Sequence, residues 1–182
     1  MNTFLVILFI IVVLAISLGI IYIYLYNKFN ESIIRINEAE SRIDSNLRDK
    51  YDLLNKGINI VKANTKVDPK AFNDFMILKT KKISNFELDR TLTKVYNEFL
   101  NIYDNNKELR DSDELYKTNK QIILIDEELT TLRNYYNANI LNYNLMIKKI
   151  PTNIIAKLKK YNERLLYDLK DMNDNDYEDF KL

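Results

Sequence analysis

Two patterns of apolar positions follow one another along the chain. Phe4 to Tyr26 is almost wholly apolar, broken by Ser17 and Gly19. That run is long enough to cross a bilayer, which takes roughly 20 apolar residues as a helix. From Lys28 onward the apolar residues become periodic. Phe29, Ile33, Ile36, Ile43, Leu47, Leu54, Ile58 and Val61 recur at steps of three, four or seven, one face of a helix. The first helix is therefore expected to continue straight out of the membrane, with Glu40 interrupting its stripe, and to fade at "KANTKVDPK". There Asp68 is placed to cap a new helix whose first position is Pro69.

The second helix is expected from about residue 69 to 105. Its apolar side is Phe72, Phe75, Met76, Ile83, Phe86, Leu88, Leu92, Val95, Phe99 and Ile102, with an irregular step and a kink or short break near "KTKKISNF". "YDNNKELRDSD" reads as a polar connection, in which Asp111 and Glu114 have capping-box spacing. The third helix, about 112 to 150, carries Leu115, Thr118, Ile122, Ile125, Leu129, Leu132, Tyr136, Ile140, Tyr143, Ile147 and Ile150. Two consecutive steps of four, 132 to 136 to 140, form a stutter in its heptad. Pro151 ends it, because the residue before proline avoids the α region. A short fourth helix, about 153 to 169, is expected to bury Ile154, Leu158, Tyr161, Leu165 and Leu169.

The predicted fold is all-α: an N-terminal transmembrane helix, then an antiparallel bundle of three long helices running up, down and up, plus one short C-terminal helix. The soluble part has a single glycine, Gly57, and two prolines, too few breakers for a strand-rich domain. The predicted organisation is a tail and anchor over 1–27, one helical bundle over 28–170, and an acidic, disordered tail over 171–182. In this arrangement the fourth helix packs at the end of the bundle away from the membrane.

The apolar run reads as an uncleaved anchor rather than a signal peptide. No Lys or Arg precedes it, and Ile20 to Tyr26 stays apolar beyond the weak cleavage match at Ala15-Ile16-Ser17. Tyr22, Tyr24 and Tyr26 crowd one end, as an interfacial aromatic belt does. Lys28, Arg35, Arg42, Arg48 and Lys50 all follow the run, which favours an outer N-terminus and a cytoplasmic bundle at the plasma membrane of a bacterium.

Composition narrows the chemistry. The chain of 182 residues has a net charge of +1, which gives nucleic acid no basic footprint. It has no Cys and no His, so disulfides, thiolate catalysis, the commonest general base and the usual transition-metal ligands are missing. No glycine-rich loop exists to cradle phosphate. No catalytic, cofactor-binding or metal-binding residues are expected, and no cofactor. The carboxylates Asp126, Glu127 and Glu128 read as a solvated face. Lys148, Lys149, Lys157, Lys159, Lys160 and Arg164 form a basic patch near the fourth helix, also read as solvated. The many Asn, Ile, Lys and Tyr residues match the codon bias of an AT-rich genome.

One stretch points further. In "NYYNANILNYN" the pairs Tyr136-Asn137 and Tyr143-Asn144 stand seven residues apart. The tyrosines share the stripe of Leu129 and Ile147, and a buried tyrosine hydroxyl wants a partner. The favoured reading is a set of hydrogen bonds that fixes register in the bundle; the competing one is a polar docking site. Arg133, Tyr136-Asn137, Ile140, Tyr143-Asn144, Ile147, Ile150-Pro151 and Ile155-Ala156 resemble the signature of the LemA family. Ile43-Asp44, Leu47, Lys50 and Asp52-Leu53-Leu54 are similar to a second block of that family. Ile150 stands where the family has an aromatic residue. Asn55-Lys56-Gly57 replaces its Pro-Asn-Leu. The resemblance covers roughly residues 29 to 160 and implies a short anchor followed by a helical bundle, with no catalytic residues to carry over. Arg133, Tyr136, Asn137, Tyr143, Asn144 and Pro151 are the candidate structural or interaction motif.

The functional expectation is a non-enzymatic protein-interaction or scaffold module. It contacts the lipid bilayer through residues 4–26, binds an unidentified protein partner and no nucleic acid, and is able to self-associate. The alternative is an extracytoplasmic coiled-coil envelope protein of the division-complex or spanin-like kind.

Overall fold

A computed structural model describes residues 3–68, 70–78 and 83–167. The elements in order are α1 (Thr3–Asn64), α2 (Asn73–Leu78), α3 (Asn85–Asn105), α4 (Lys107–Arg110), α5 (Asp113–Lys148) and α6 (Thr152–Lys159). No strand occurs among the described residues. The chain divides into two compact units. One comprises residues 1–38 and 137–165, the other residues 39–136 and 166–182. The acidic tail and Pro69 lie outside the described residues.

In the second unit α1 buries Ala39, Ile43, Leu47, Lys50, Leu54, Ile58 and Val61. These are the expected stripe with its seven-residue gap after Leu47 filled by Lys50. Ala39 fills the gap before Ile43, so the stripe passes beside Glu40 rather than stopping at it. Gly57 lies on the same side, where an added Cβ would stand 3.0 Å from the Phe99 ring. A side chain there would push into the wholly buried Phe99, so the bare backbone is what allows the close approach.

The region expected as a helix over 69–105, with a kink or short break near "KTKKISNF", forms two helices, α2 and α3. Asp68 does not cap a helix: its carboxylate accepts from the Lys70 amide at 2.8 Å and its carbonyl from Ala71 at 2.9 Å, closing a turn. Buried Phe72 then adopts φ 65, the left-handed region. Lys62 lies 5.9 Å from the Phe72 ring, and Tyr51 stacks on Phe75 with centroids 4.7 Å apart, so the chain descends along α1. Ser84 caps α3 by accepting from the Glu87 amide at 3.2 Å, and the chain turns back. α3 rises beside α1 in the same sense, as Lys50 near Tyr96, Gly57 against Phe99 and Thr65 bonded to Asn106 show. α5 runs antiparallel to both, with Arg42 bonded to Glu128 and Lys56 to Glu114. Met76, expected in the core, is exposed, and at the end of α3 Tyr103 is buried while Ile102 is half-buried.

The polar connection contains α4, whose Leu109 is buried. Ser112 rather than Asp111 serves the start of α5, its hydroxyl accepting from the Leu115 amide at 3.4 Å. The α5 stripe buries Leu115, Thr118, Ile122, Leu129, Leu132, Tyr136, Ile140 and Tyr143.

In the first unit the segment of α1 up to Tyr24 is exposed and is long and apolar enough to cross a membrane. The stripe resumes at Leu25, Phe29 and Ile36. α5 ends at Lys148, and a cis Ile150-Pro151 bond leads into α6. The expected fourth helix over 153–169 is shorter and faces the other way. It stops at Lys160, which takes a left-handed conformation, and it buries Thr152, Ile155 and Ala156. Ile150, Ile154, Leu158 and Leu165 are exposed.

Candidate functional site

The second unit holds buried charges that the apolar periodicity hides. Lys50 is wholly buried, and its ammonium donates to the half-buried Asp126 carboxylate. The same ammonium stands 5.6 Å from the centre of the Tyr96 ring. Tyr96 donates its hydroxyl proton to Asn119 Oδ1 at 2.6 Å. Burial pushes the Tyr96 hydroxyl up to about 12, and the charges of Asp126 and Asp104 add to the rise. Asp126 is thus no solvated surface carboxylate; its neighbours Glu127 and Glu128 are exposed as expected.

Asp89 on α3 is the second buried charge. Arg133 from α5 meets it with Nη2 at 3.4 Å from Oδ1 and Nε at 3.2 Å from Oδ2. The Tyr167 hydroxyl donates to Asp89 Oδ2 at 3.3 Å. Desolvation raises the Asp89 carboxyl above the ordinary carboxylate range; Arg133, then Lys50 and the Tyr167 hydrogen bond, oppose the rise, and Asp126 adds to it. Tyr167 is itself wedged between Phe86 and Tyr136, with centroids 5.9 and 6.1 Å away at near-perpendicular angles. Asp89, Arg133 and Tyr167 border an open cavity of about 440 Å³. Its mouth carries Arg90 and Lys94, so the opening is cationic.

In the first unit the second Tyr-Asn pair is built into a different cluster. Tyr143 packs edge-on against Phe29 at 6.0 Å, and Tyr161 tilts over the same phenylalanine at 5.3 Å. The Arg164 guanidinium lies 5.5 Å from the Tyr143 ring centre. Burial raises the Tyr143 hydroxyl; Arg164 opposes that rise and Tyr161 adds to it. Asn144 acts like a short β-ladder. Its Nδ2 donates to the Arg164 carbonyl at 2.8 Å and its Oδ1 accepts from the Arg164 amide at 2.9 Å. This holds the irregular chain after α6 against α5.

The candidate motif is therefore divided. Arg133 and Tyr136 belong to the second unit, and Asn137, Tyr143, Asn144 and Pro151 to the first. Arg133, Tyr136, Tyr143 and Asn144 make their contacts inside the protein, Asn137 is half-buried beside them, and Pro151 forms the turn into α6. Sequence reasoning missed Lys50 with Asp126 and Asp89 with Tyr167. The first pair had a signal, because position 50 falls on the stripe between Leu47 and Leu54. The second had a weaker one, an aspartate next to Leu88 on the apolar side of α3. Among the described residues no group of three or more acidic residues is placed to hold a metal ion.

The model of the LemA family matches residues 39–178, and the chain belongs to that family. Neither a curated protein nor a solved structure matches the chain.

Proposed function

We propose that this LemA-family chain is a single-pass membrane protein whose helical bundle is a non-enzymatic docking module for a protein partner at the inner face of a bacterial plasma membrane. The observation that carries the reading is α1. It is one uninterrupted helix from Thr3 to Asn64, exposed and apolar over the first part and striped over the rest. An apolar segment with no protein around it fits a lipid environment. The absence of His and Cys from the sequence supports a non-enzymatic role. So does the use of Asp89, Arg133, Lys50 and Asp126 against one another. The cytoplasmic side is supported by Lys28, Arg35 and the further basic residues that follow the span.

The test is topology. Lys120 is exposed on α5 and the native chain has no cysteine, so Lys120→Cys is a single probe. A membrane-impermeant maleimide that labels only after permeabilisation supports the reading. Labelling of intact cells places the bundle in the envelope and promotes the alternative, an extracytoplasmic coiled-coil protein. A parallel coiled coil would also self-associate through its stripes, which sizing of the full chain in detergent reads directly.

A further inference from the structure

α6 has two apolar faces, and the protein uses one of them. Ile155 and Ala156 are buried against the rest of the first unit. On the opposite side Ile150, Ile154 and Leu158, four residues apart, are 82%, 55% and 66% exposed. Around this stripe the chain is strongly basic. Residues 148–162 contain five lysines and no acidic residue. Glu163, just beyond this stretch, pairs with Lys148 at 2.8 Å, and Glu31 on α1 lines the cavity beside Lys149 and Ile150.

The position of α6 decides what covers the stripe. The sequence placed this helix away from the membrane; the structure puts it at the end of the apolar run. Lys159 Nζ stands 4.9 Å from the ring centre of Tyr26, the last residue of that run. Lys149, Ile150 and Pro151 line a cavity of about 650 Å³ together with Leu25 and Lys28, which straddle the change from apolar to charged. The exposed stripe and its lysines therefore lie level with the place where a bilayer around residues 4–26 would meet water.

We propose that the segment Ile150–Lys160 lies on an anionic lipid surface, with Ile150, Ile154 and Leu158 in the boundary between headgroups and acyl chains and Lys149, Lys157 and Lys160 against anionic headgroups. This rests on the reading that residues 4–26 span the bilayer. An interfacial helix of this kind needs an apolar face, flanking cations and a membrane within reach, and α6 has all three. A protein partner would leave unexplained why the exposed stripe is level with the end of the span and why residues 148–162 carry five lysines and no acid.

The experiment uses the full chain in vesicles of equal parts phosphatidylglycerol and phosphatidylcholine. Three single-cysteine variants carry an environment-sensitive fluorophore: Tyr24→Cys in the apolar run, Ile154→Cys on the stripe and Lys120→Cys on exposed α5. Quenchers attached to lipid chains report contact with the bilayer. Quenching at positions 24 and 154 but not at 120 is the expected result. In the Ile154→Cys background, Lys149→Gln with Lys157→Gln should lower the docking equilibrium by roughly 25-fold, at about fivefold per lysine near an anionic surface. Quenching at 24 without quenching at 154 overturns the surface placement and leaves the span intact. No quenching at 24 overturns the span itself. Full quenching at 154 after both lysines are neutralised also overturns the proposal. So does a blue shift at 154 that lacks lipid quenching and grows with protein density, which would assign the stripe to a second copy.

Discussion

Lys50 gives the sharpest test of the core. It fills a stripe position of α1, is wholly buried, and directs its ammonium at Asp126 and the Tyr96 face. Asp126→Ala leaves that ammonium buried without its carboxylate. Breaking a buried pair from one side costs about 3–5 kcal/mol. The Asp126 side chain is 31% exposed, so water reaches the site from that side and a loss of about 2–3 kcal/mol is expected. Lys50→Met is different, because it removes the charge and leaves an unbranched apolar chain in the stripe. It should stay within about 1 kcal/mol of the parent, since apolar replacements of buried ions are often neutral or stabilising. The double variant should match Lys50→Met, giving a coupling of about 2 kcal/mol. Thermal unfolding of the full chain in detergent micelles reads this as a fall of about 4–12 °C for Asp126→Ala, at roughly 2–4 °C per kcal/mol for a chain of this size. Lys50→Met should barely move. A large loss for Lys50→Met with none for Asp126→Ala would mean that the lysine stem carries the packing and the ion pair carries nothing, and the argument would fail.

Two further predictions follow from the other buried contacts. Burial raises the Asp89 carboxyl in the folded state, so the folded chain holds that proton more tightly than the unfolded one. The contribution of Asp89 to stability therefore rises as pH falls through its raised folded value and levels off below the ordinary carboxylate range. Measured against Asp89→Asn by denaturant titration across that window, the parent should gain on the variant as pH falls; the opposite slope would sink the account of desolvation. Asn144→Ala removes both hydrogen bonds to the Arg164 backbone, worth about 1–3 kcal/mol together. Hydrogen exchange at the Arg164 amide should accelerate by roughly ten- to a hundredfold, and an unchanged rate would show that the chain after α6 is held by something else.

The stripes of α1 and α5 were legible because their residues are large, apolar and regularly spaced. Ile43, Leu47, Leu54, Ile58 and Val61 are core as their spacing predicts, as are Leu115, Thr118, Ile122, Leu129, Leu132, Tyr136, Ile140 and Tyr143 on α5, while Ile125 is half-buried. The gaps were not legible as core. Ala39 is too small to register as a stripe member, and Lys50 has a charged tip on an apolar stem, which lets it follow the stripe only where a counter-charge waits. The break between α2 and α3 was legible near "KTKKISNF" from its irregular apolar step, and Ser84 with Glu87 three residues on adds the cap that starts α3. The error at α6 has a different cause. Ile154, Leu158 and Leu165 have the spacing of a buried face, and the spacing rule assumes that apolar means inward. Beside an apolar run exposed over most of its length up to Tyr24, that assumption no longer holds.

The polar residues in the stripes answer a question that apolar packing leaves open. A stripe of Leu and Ile packs nearly as well after a slip of one helical turn, since the next residue is also apolar. Asp89 and Arg133 do not tolerate that slip, because a displaced α3 would leave a buried carboxylate without its guanidinium. Lys50 and Asp126 set α1 against α5 in the same way. Tyr96 with Asn119 ties α3 to α5 a second time, so each long helix of the second unit is fixed along its axis by at least one polar pair. In the first unit Asn144 does this for the chain after α6, and Tyr143 places Phe29 and Arg164 on its two sides. Leucine at any of these positions would add apolar area and lose the register. In these helices the polar pairs contribute register more than a few additional kcal/mol of stability.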